Sequence, residues 1–95
     1  MTEMSEHDFK RLNQEKLKDA PRPLSLWRHY KGGWYEVVCS ACLEAEPEQV
    51  IVVYRSQTYG YLLARTLENW LEPVRWPDGQ LGPRFRPAGD FGLPQ

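Results

Sequence analysis

Trp27-Arg28-His29-Tyr30-Lys31-Gly32-Gly33-Trp34-Tyr35-Glu36 forms two aromatic-rich arms joined by a Lys-Gly-Gly turn. In an extended first arm Trp27 and His29 share one face, and Arg28 and Tyr30 share the other. Gly32-Gly33 supplies the positive φ that a tight hairpin requires, so the arms read as paired antiparallel strands. Beyond the turn Tyr35, Val37, Cys39, Ala41 and Leu43 alternate with Trp34, Glu36, Val38, Ser40 and Cys42. This period of two predicts a strand that turns the odd-numbered set toward a core.

Later apolar runs build onto this hairpin. Glu44-Ala45-Glu46-Pro47-Glu48 is an acidic turn, and Val50-Ile51-Val52-Val53-Tyr54 is apolar throughout. That second pattern predicts a central strand buried on both faces or nearly so. Residues 55–58 are polar and turn-like, and 61–65 form a further strand. Leu67-Glu68-Asn69-Trp70-Leu71, stopped by Glu72-Pro73, has room for a single helical turn capped by Thr66. Val74-Arg75-Trp76 adds a short strand, Pro77-Asp78-Gly79 a turn, and Pro83-Arg84-Phe85-Arg86 a closing edge. Short strands, polar turns and one late helical turn define an all-β chain. They predict a small SH3-like, partly open barrel over residues 24–86, with an OB-type barrel as the competing arrangement.

The flanks are less structured. Ser5-Glu6-His7-Asp8 has the Ser-x-x-acid pattern of a helix start, and an N-terminal helix over about residues 6–18 is expected. Its apolar positions are only Phe9, Leu12 and Leu17, so it is expected to fray or to dock through Phe9 alone. Ala20-Pro21-Arg22-Pro23 ends it, making residues 1–23 a helix and linker. The Pro/Gly content of residues 87–95 predicts a flexible tail.

Composition bounds the function. Ninety-five residues make one core, and the net charge is −1. The segment 22–86 holds eight Lys/Arg against seven Asp/Glu, so no domain-scale basic field exists for nonspecific duplex binding. No apolar run reaches membrane-span length and the N-terminal residues are charged and polar without a signal-peptide core, so a cytoplasmic location is expected. Two closely spaced cysteines cannot frame a disulfide scaffold and read as reduced thiols.

Five blocks in order resemble a known family: Trp27-x-His29-Tyr30-Lys31-Gly32-Gly33-x-Tyr35-Glu36-Val37, Val52-Val53-Tyr54-Arg55, Tyr59-Gly60, Arg65-x-Leu67-Glu68-Asn69-Trp70-Leu71-Glu72, and Pro83-Arg84-Phe85. They are similar to the small bacterial domain of unknown function 1653 over about residues 27–86. Where relatives carry Arg-Pro-Leu this chain has Arg65-Thr66-Leu67, and Cys39 and Cys42 fall outside the pattern. The resemblance implies a compact, mainly β domain and supplies no activity.

Chemistry-bearing residues are sparse. Cys39-Ser40-Ala41-Cys42 has the spacing of a zinc or redox pair. On a regular strand, however, residues three apart point to opposite faces, which favours a buried Cys39 and an incidental Cys42. No metal or other cofactor is therefore expected. His29 has no local nucleophile or triad-like partner. Glu36 could orient it across a two-residue turn, but a structural histidine packed on Trp27 is favoured. The richer collection is aromatic and basic: Tyr30, Trp34, Tyr54, Tyr59 and Trp70 with Lys31, Arg55, Arg65 and Arg84. Tyr54 and Trp70 are favoured as core, while Arg55 and Arg65 are placed to flank a groove.

The candidate ligand-binding residues are His29, Lys31, Tyr54, Arg55, Tyr59, Arg65, Trp70 and Arg84. The expected function is a non-catalytic module, monomer or weak dimer, that binds a peptide or protein. Single-stranded nucleic acid binding is the alternative. A small His-dependent enzyme or a Cys-based site ranks last.

Overall fold

A computed structural model describes residues 6–90. Strand β1 (Ser25–His29) pairs antiparallel with β2 (Trp34–Cys42), setting Arg28 opposite Trp34 and Leu26 opposite Glu36. The turn between them uses the four residues 30–33. The His29 N–H donates to the Gly33 carbonyl at 2.8 Å, and the Gly32 N–H donates back to the His29 carbonyl at 2.8 Å. Only Gly32 takes a positive φ, 109°. Gly33 is needed for space instead, since a Cβ there would stand 2.7 Å from the Tyr35 ring.

Strand β3 (Val50–Ser56) pairs with β2, and β4 (Leu62–Thr66) pairs with β3. The helical turn α3 (Leu67–Leu71) follows, with the Thr66 hydroxyl accepting from the Asn69 N–H at 3.1 Å. A separate hairpin of β5 (Pro73–Arg75) and β6 (Leu81–Pro83) leads to β7 (Phe85–Asp90), which returns beside β1. The sheet order is β4-β3-β2-β1-β7, with β4 and β7 as free edges. This is the mainly β, partly open SH3-like layout that the sequence predicts, carrying an extra hairpin before its last strand. Residues 87–90, assigned to the tail by composition, belong to β7: Trp27 pairs with Pro87, Leu26 with Gly89 and Ser25 with Asp90.

A bulge corrects the inward face of β2. Val37 is fully buried, but the β2–β3 register shifts between Val37 and Cys39, leaving Val38 as the extra residue. Beyond it Ser40 lies opposite Val52 and Cys42 opposite Val50, both core residues. Cys39 and Ala41 lie opposite Val53 and Ile51 on the other face. One inserted residue thus reverses the expected face of everything after Val37, and Cys39 is half-buried, not a core thiol. Strand β3 is buried on one face only, through Val50, Val52, Tyr54 and Ser56, and β2 holds the middle of the sheet.

The core is aromatic. Trp70 from α3 stacks on Phe85 from β7 at 3.8 Å and 8°, and Tyr54 meets both edge-on at 5.3 and 5.5 Å. Trp27 closes the cluster against Trp70 at 5.4 Å. At the N-terminus the helix breaks at Asn13 into α1 (Glu6–Leu12) and α2 (Gln14–Leu17). Asn13 is buried and donates to the Pro47 carbonyl at 2.7 Å, while Leu17 and Ala20 pack on the core. The helices are therefore anchored by a polar contact and Leu17. The expected Ser5 cap and Phe9 side-chain contact lie outside the described residues. No described helix is long and apolar enough to cross a membrane.

Candidate functional site

The β1–β2 turn, the C-terminal half of α3 and the β6–β7 junction meet at one end of the sheet, where the Tyr30 N–H donates to the Arg84 carbonyl and the Arg84 N–H to the Glu72 carbonyl. His29 ends β1 there, 8% exposed, its ring 4.9 Å from Phe85 and 4.7 Å from Tyr30. Its Nδ1 accepts the Lys31 backbone N–H at 3.2 Å, which puts the proton of the neutral ring on Nε2. That Nε2 is buried without a hydrogen-bond partner. Burial, reinforced by Arg65, Arg84 and Lys31, lowers the His29 pKa to about 4. At neutral pH His29 is an uncharged donor held among cations.

Arg65 and Arg84 converge on Asn69. Arg65 donates from Nε to the Tyr54 hydroxyl at 2.7 Å and from Nη1 to the Asn69 side-chain oxygen, and its guanidinium lies 5.6 Å from the Phe85 ring. Arg84 donates from Nε to the Asn69 carbonyl at 3.1 Å and from Nη2 to the Glu72 carboxylate at 3.1 Å. The Arg84 guanidinium and the Lys31 ammonium each lie 5.7 Å from the centre of the Tyr30 ring.

A concavity of about 640 Å³ opens on the outer face beside the same turn. Arg28 stands opposite Trp34 on β2 and opposite Arg86 on β7, so these three side chains share a cross-strand row. Arg28 lies over the Trp34 ring at 5.0 Å, and Arg86 over the Trp76 ring at 3.8 Å. Trp76 is fixed by its indole N–H donating to the Pro83 carbonyl at 2.8 Å. The result is an indole, two guanidiniums and an indole in sequence, with Tyr30, Lys31 and Asp78 at the margins. Asp78 approaches Arg86 at 3.6 Å, and no carboxylate pairs with Arg28 among the described residues.

Of the residues singled out from the sequence, His29, Lys31, Arg65 and Arg84 assemble over a floor of Tyr54 and Trp70. Arg55 and Tyr59 lie elsewhere. Arg55 projects from the face opposite to Tyr54, beside Glu36 at 3.9 Å, and Tyr59 is exposed at the β3–β4 turn, stacked on Tyr61. Arg65 sits opposite core-facing Val52 while Arg55 sits opposite Leu62, so the two arginines flank no common groove. Glu36 lies opposite Leu26 and does not orient His29, because the turn has four residues and not two. Cys39 and Cys42 point to opposite faces, since the bulge precedes both. No group of three or more His, Cys, Asp or Glu among the described residues could hold a metal ion.

Arg28, Trp76 and Arg86 were missed. A signal existed for Arg28, a residue directly across the Gly-Gly turn from Trp34. Pairing of Arg86 with Arg28 depends on the β1–β7 register, which no local pattern encodes.

These features define a small open β-barrel with a cationic, aromatic end. The family model described as protein of unknown function, DUF1653, matches residues 25–87, and the chain belongs to this family. It is similar to the crystal structure of a DUF1653 protein from Bordetella bronchiseptica, with 30% identity and a TM-score of 0.61 over 79% of this chain and 95% of that one. No curated protein matches. Four of the five sequence blocks meet at the described end, through His29 and Tyr35, Tyr54, Arg65 and Trp70, and Arg84 and Phe85.

Proposed function

We propose that this domain is a non-catalytic binding module whose ligand is an acidic, extended peptide segment lying in the outer groove. The row Trp34–Arg28–Arg86–Trp76 carries the reading. Like charges directly opposite one another on neighbouring strands are unfavourable, and Arg28 and Arg86 hold such positions. Both guanidiniums rest on indoles, and among the described residues only Asp78 partly compensates them. An arriving carboxylate relieves the repulsion and accepts two parallel N–H bonds from a planar fork. Trp34, 42% exposed, offers a ring for the ligand's apolar side chains. The two free thiols, on opposite faces, suit a reducing compartment, and we place the domain in the cytoplasm.

Tryptophan fluorescence titrated with a set of acidic and basic peptides of matched length tests this. Saturable binding of the acidic set is expected, weakened at least tenfold by Arg28→Ala or Trp34→Ala. Equal binding of basic peptides would refute it. Single-stranded oligonucleotides use the same chemistry of rings and cations. Tighter, salt-sensitive binding of an oligonucleotide than of any peptide would replace the peptide reading.

A further inference from the structure

The outer groove carries more positive charge than one carboxylate can answer. Arg28, Lys31 and Arg86 line it against a single carboxylate among the described residues, Asp78, so its wall bears a net charge of +2. Asp78 stands 3.6 Å from Arg86, and its other oxygen accepts the Gln80 N–H at 2.9 Å within its own turn. It is a partial counter-ion for one of the three cations. Arg28 and Arg86 are direct cross-strand partners, which sets their Cβ atoms roughly 5 Å apart, and both line the same concavity.

Both guanidiniums are held in place by rings. Arg86 lies 3.8 Å over the Trp76 ring, and the Trp76 indole N–H is tied to the Pro83 carbonyl. Gly82 leaves room for this stack, since a Cβ there would stand 3.3 Å from Arg86 Nη2 and 3.4 Å from the indole. Arg28 lies 5.0 Å from the Trp34 ring. A guanidinium that rests on a ring by its face keeps its N–H groups in plane at the edge, so the stacking orients both forks and leaves donors for a ligand. Little side-chain freedom is then lost on binding.

Charge and spacing decide which acid fits. A carboxylate is a monoanion with two oxygens, enough for one fork. A phosphate monoester carries a charge of about −1.5 to −2 at pH 7 and three acceptor oxygens. It accepts from two forks at once and cancels the charge of the wall. We infer that the groove selects a phosphorylated side chain within the acidic peptide, its phosphate monoester bridging Arg28 and Arg86 with Lys31 at the margin. The inference rests on the peptide reading of this groove and names the acid that it reads. Trp34, exposed beside Arg28, gives the peptide a contact that a free phosphate ion lacks.

Dye-labelled peptides of one sequence, with serine, glutamate or phosphoserine at the centre, are titrated with the full chain at fixed ionic strength and followed by fluorescence anisotropy. The phosphopeptide is expected to bind at least tenfold more tightly than the glutamate peptide. Equal affinities would overturn the inference and leave the acidic-peptide reading standing, whereas binding of neither would overturn both. Inorganic phosphate is expected to displace the labelled phosphopeptide only at concentrations at least tenfold above those of unlabelled phosphopeptide. Displacement at equal concentrations would make the free ion the ligand and overturn the inference. Lys31→Gln, at an exposed position, lowers the wall to +1 and is expected to cut the preference for phosphoserine over glutamate at least threefold. Arg55→Gln removes the same charge outside the groove and is expected to leave that preference unchanged. A preference unmoved by Lys31→Gln, or moved equally by Arg55→Gln, would overturn the assignment.

Discussion

Acidification from pH 7.5 to about 4.5 is expected to cost this fold stability through one side chain, His29. In the native protein its pKa lies at about 4, against 6.5 for an ordinary imidazole, because protonation would place a charge in a buried site already facing Arg65, Arg84 and Lys31. The unfolded chain therefore binds a proton at a pH where the native state does not. The contribution of His29 is fully present above about pH 6.5 and is lost as pH falls from there toward 4. Each unit of pKa difference corresponds to about 1.36 kcal/mol, so close to 2.5 kcal/mol is gone by pH 4.5. That is a large share of the 5–15 kcal/mol typical of a small domain.

Urea unfolding followed by tryptophan fluorescence at both pH values measures it, with His29→Gln as the reference. Glutamine can accept from the Lys31 N–H but does not titrate. Carboxylate titrations are common to both proteins and cancel in the difference between their pH effects. The wild type is expected to lose about 2–3 kcal/mol more than His29→Gln does. Equal losses, or a His29 ring that titrates near 6.5 by NMR, would refute the placement of a neutral imidazole among cations.

Other substitutions separate the terms that hold the fold. Trp70→Ala removes the ring stacked on Phe85 and should cost about 3–5 kcal/mol in urea unfolding, since a large cavity opens in a small core. Gly32→Ala should cost about 1–2 kcal/mol from its positive φ alone, with nothing within 4 Å of the new methyl group. Gly33→Ala should act differently, swinging the Tyr35 ring from its place and shifting the His29 and Phe85 resonances, because its Cβ collides with that ring. Ser40→Ala is expected to be neutral or to stabilise by about 1 kcal/mol, because the Ser40 hydroxyl is buried on the core face without a partner.

Much of the architecture was legible because it rests on local chemistry. Gly32 permits the chain reversal, Thr66 and Pro73 confine α3 to one turn, and the β-branched run 50–53 favours an extended chain. The site was legible only in part. Lys31, Arg65 and Arg84 stood out as cations beside aromatic residues, and they do come together around His29. Arg55 was indistinguishable from Arg65 by composition, and one faces away from the other because they occupy opposite phases of paired strands.

The sequence by itself therefore determined the mainly β class, the founding hairpin, the late helical turn and the family. Only the tertiary structure decided which residues form a site. The bulge at Val38 reverses the faces of Ser40, Cys39 and Cys42, and the return of β7 beside β1 sets Arg86 against Arg28 and Phe85 against His29. Both depend on register between segments distant in sequence, where a single residue moves every side chain to the other face of the sheet.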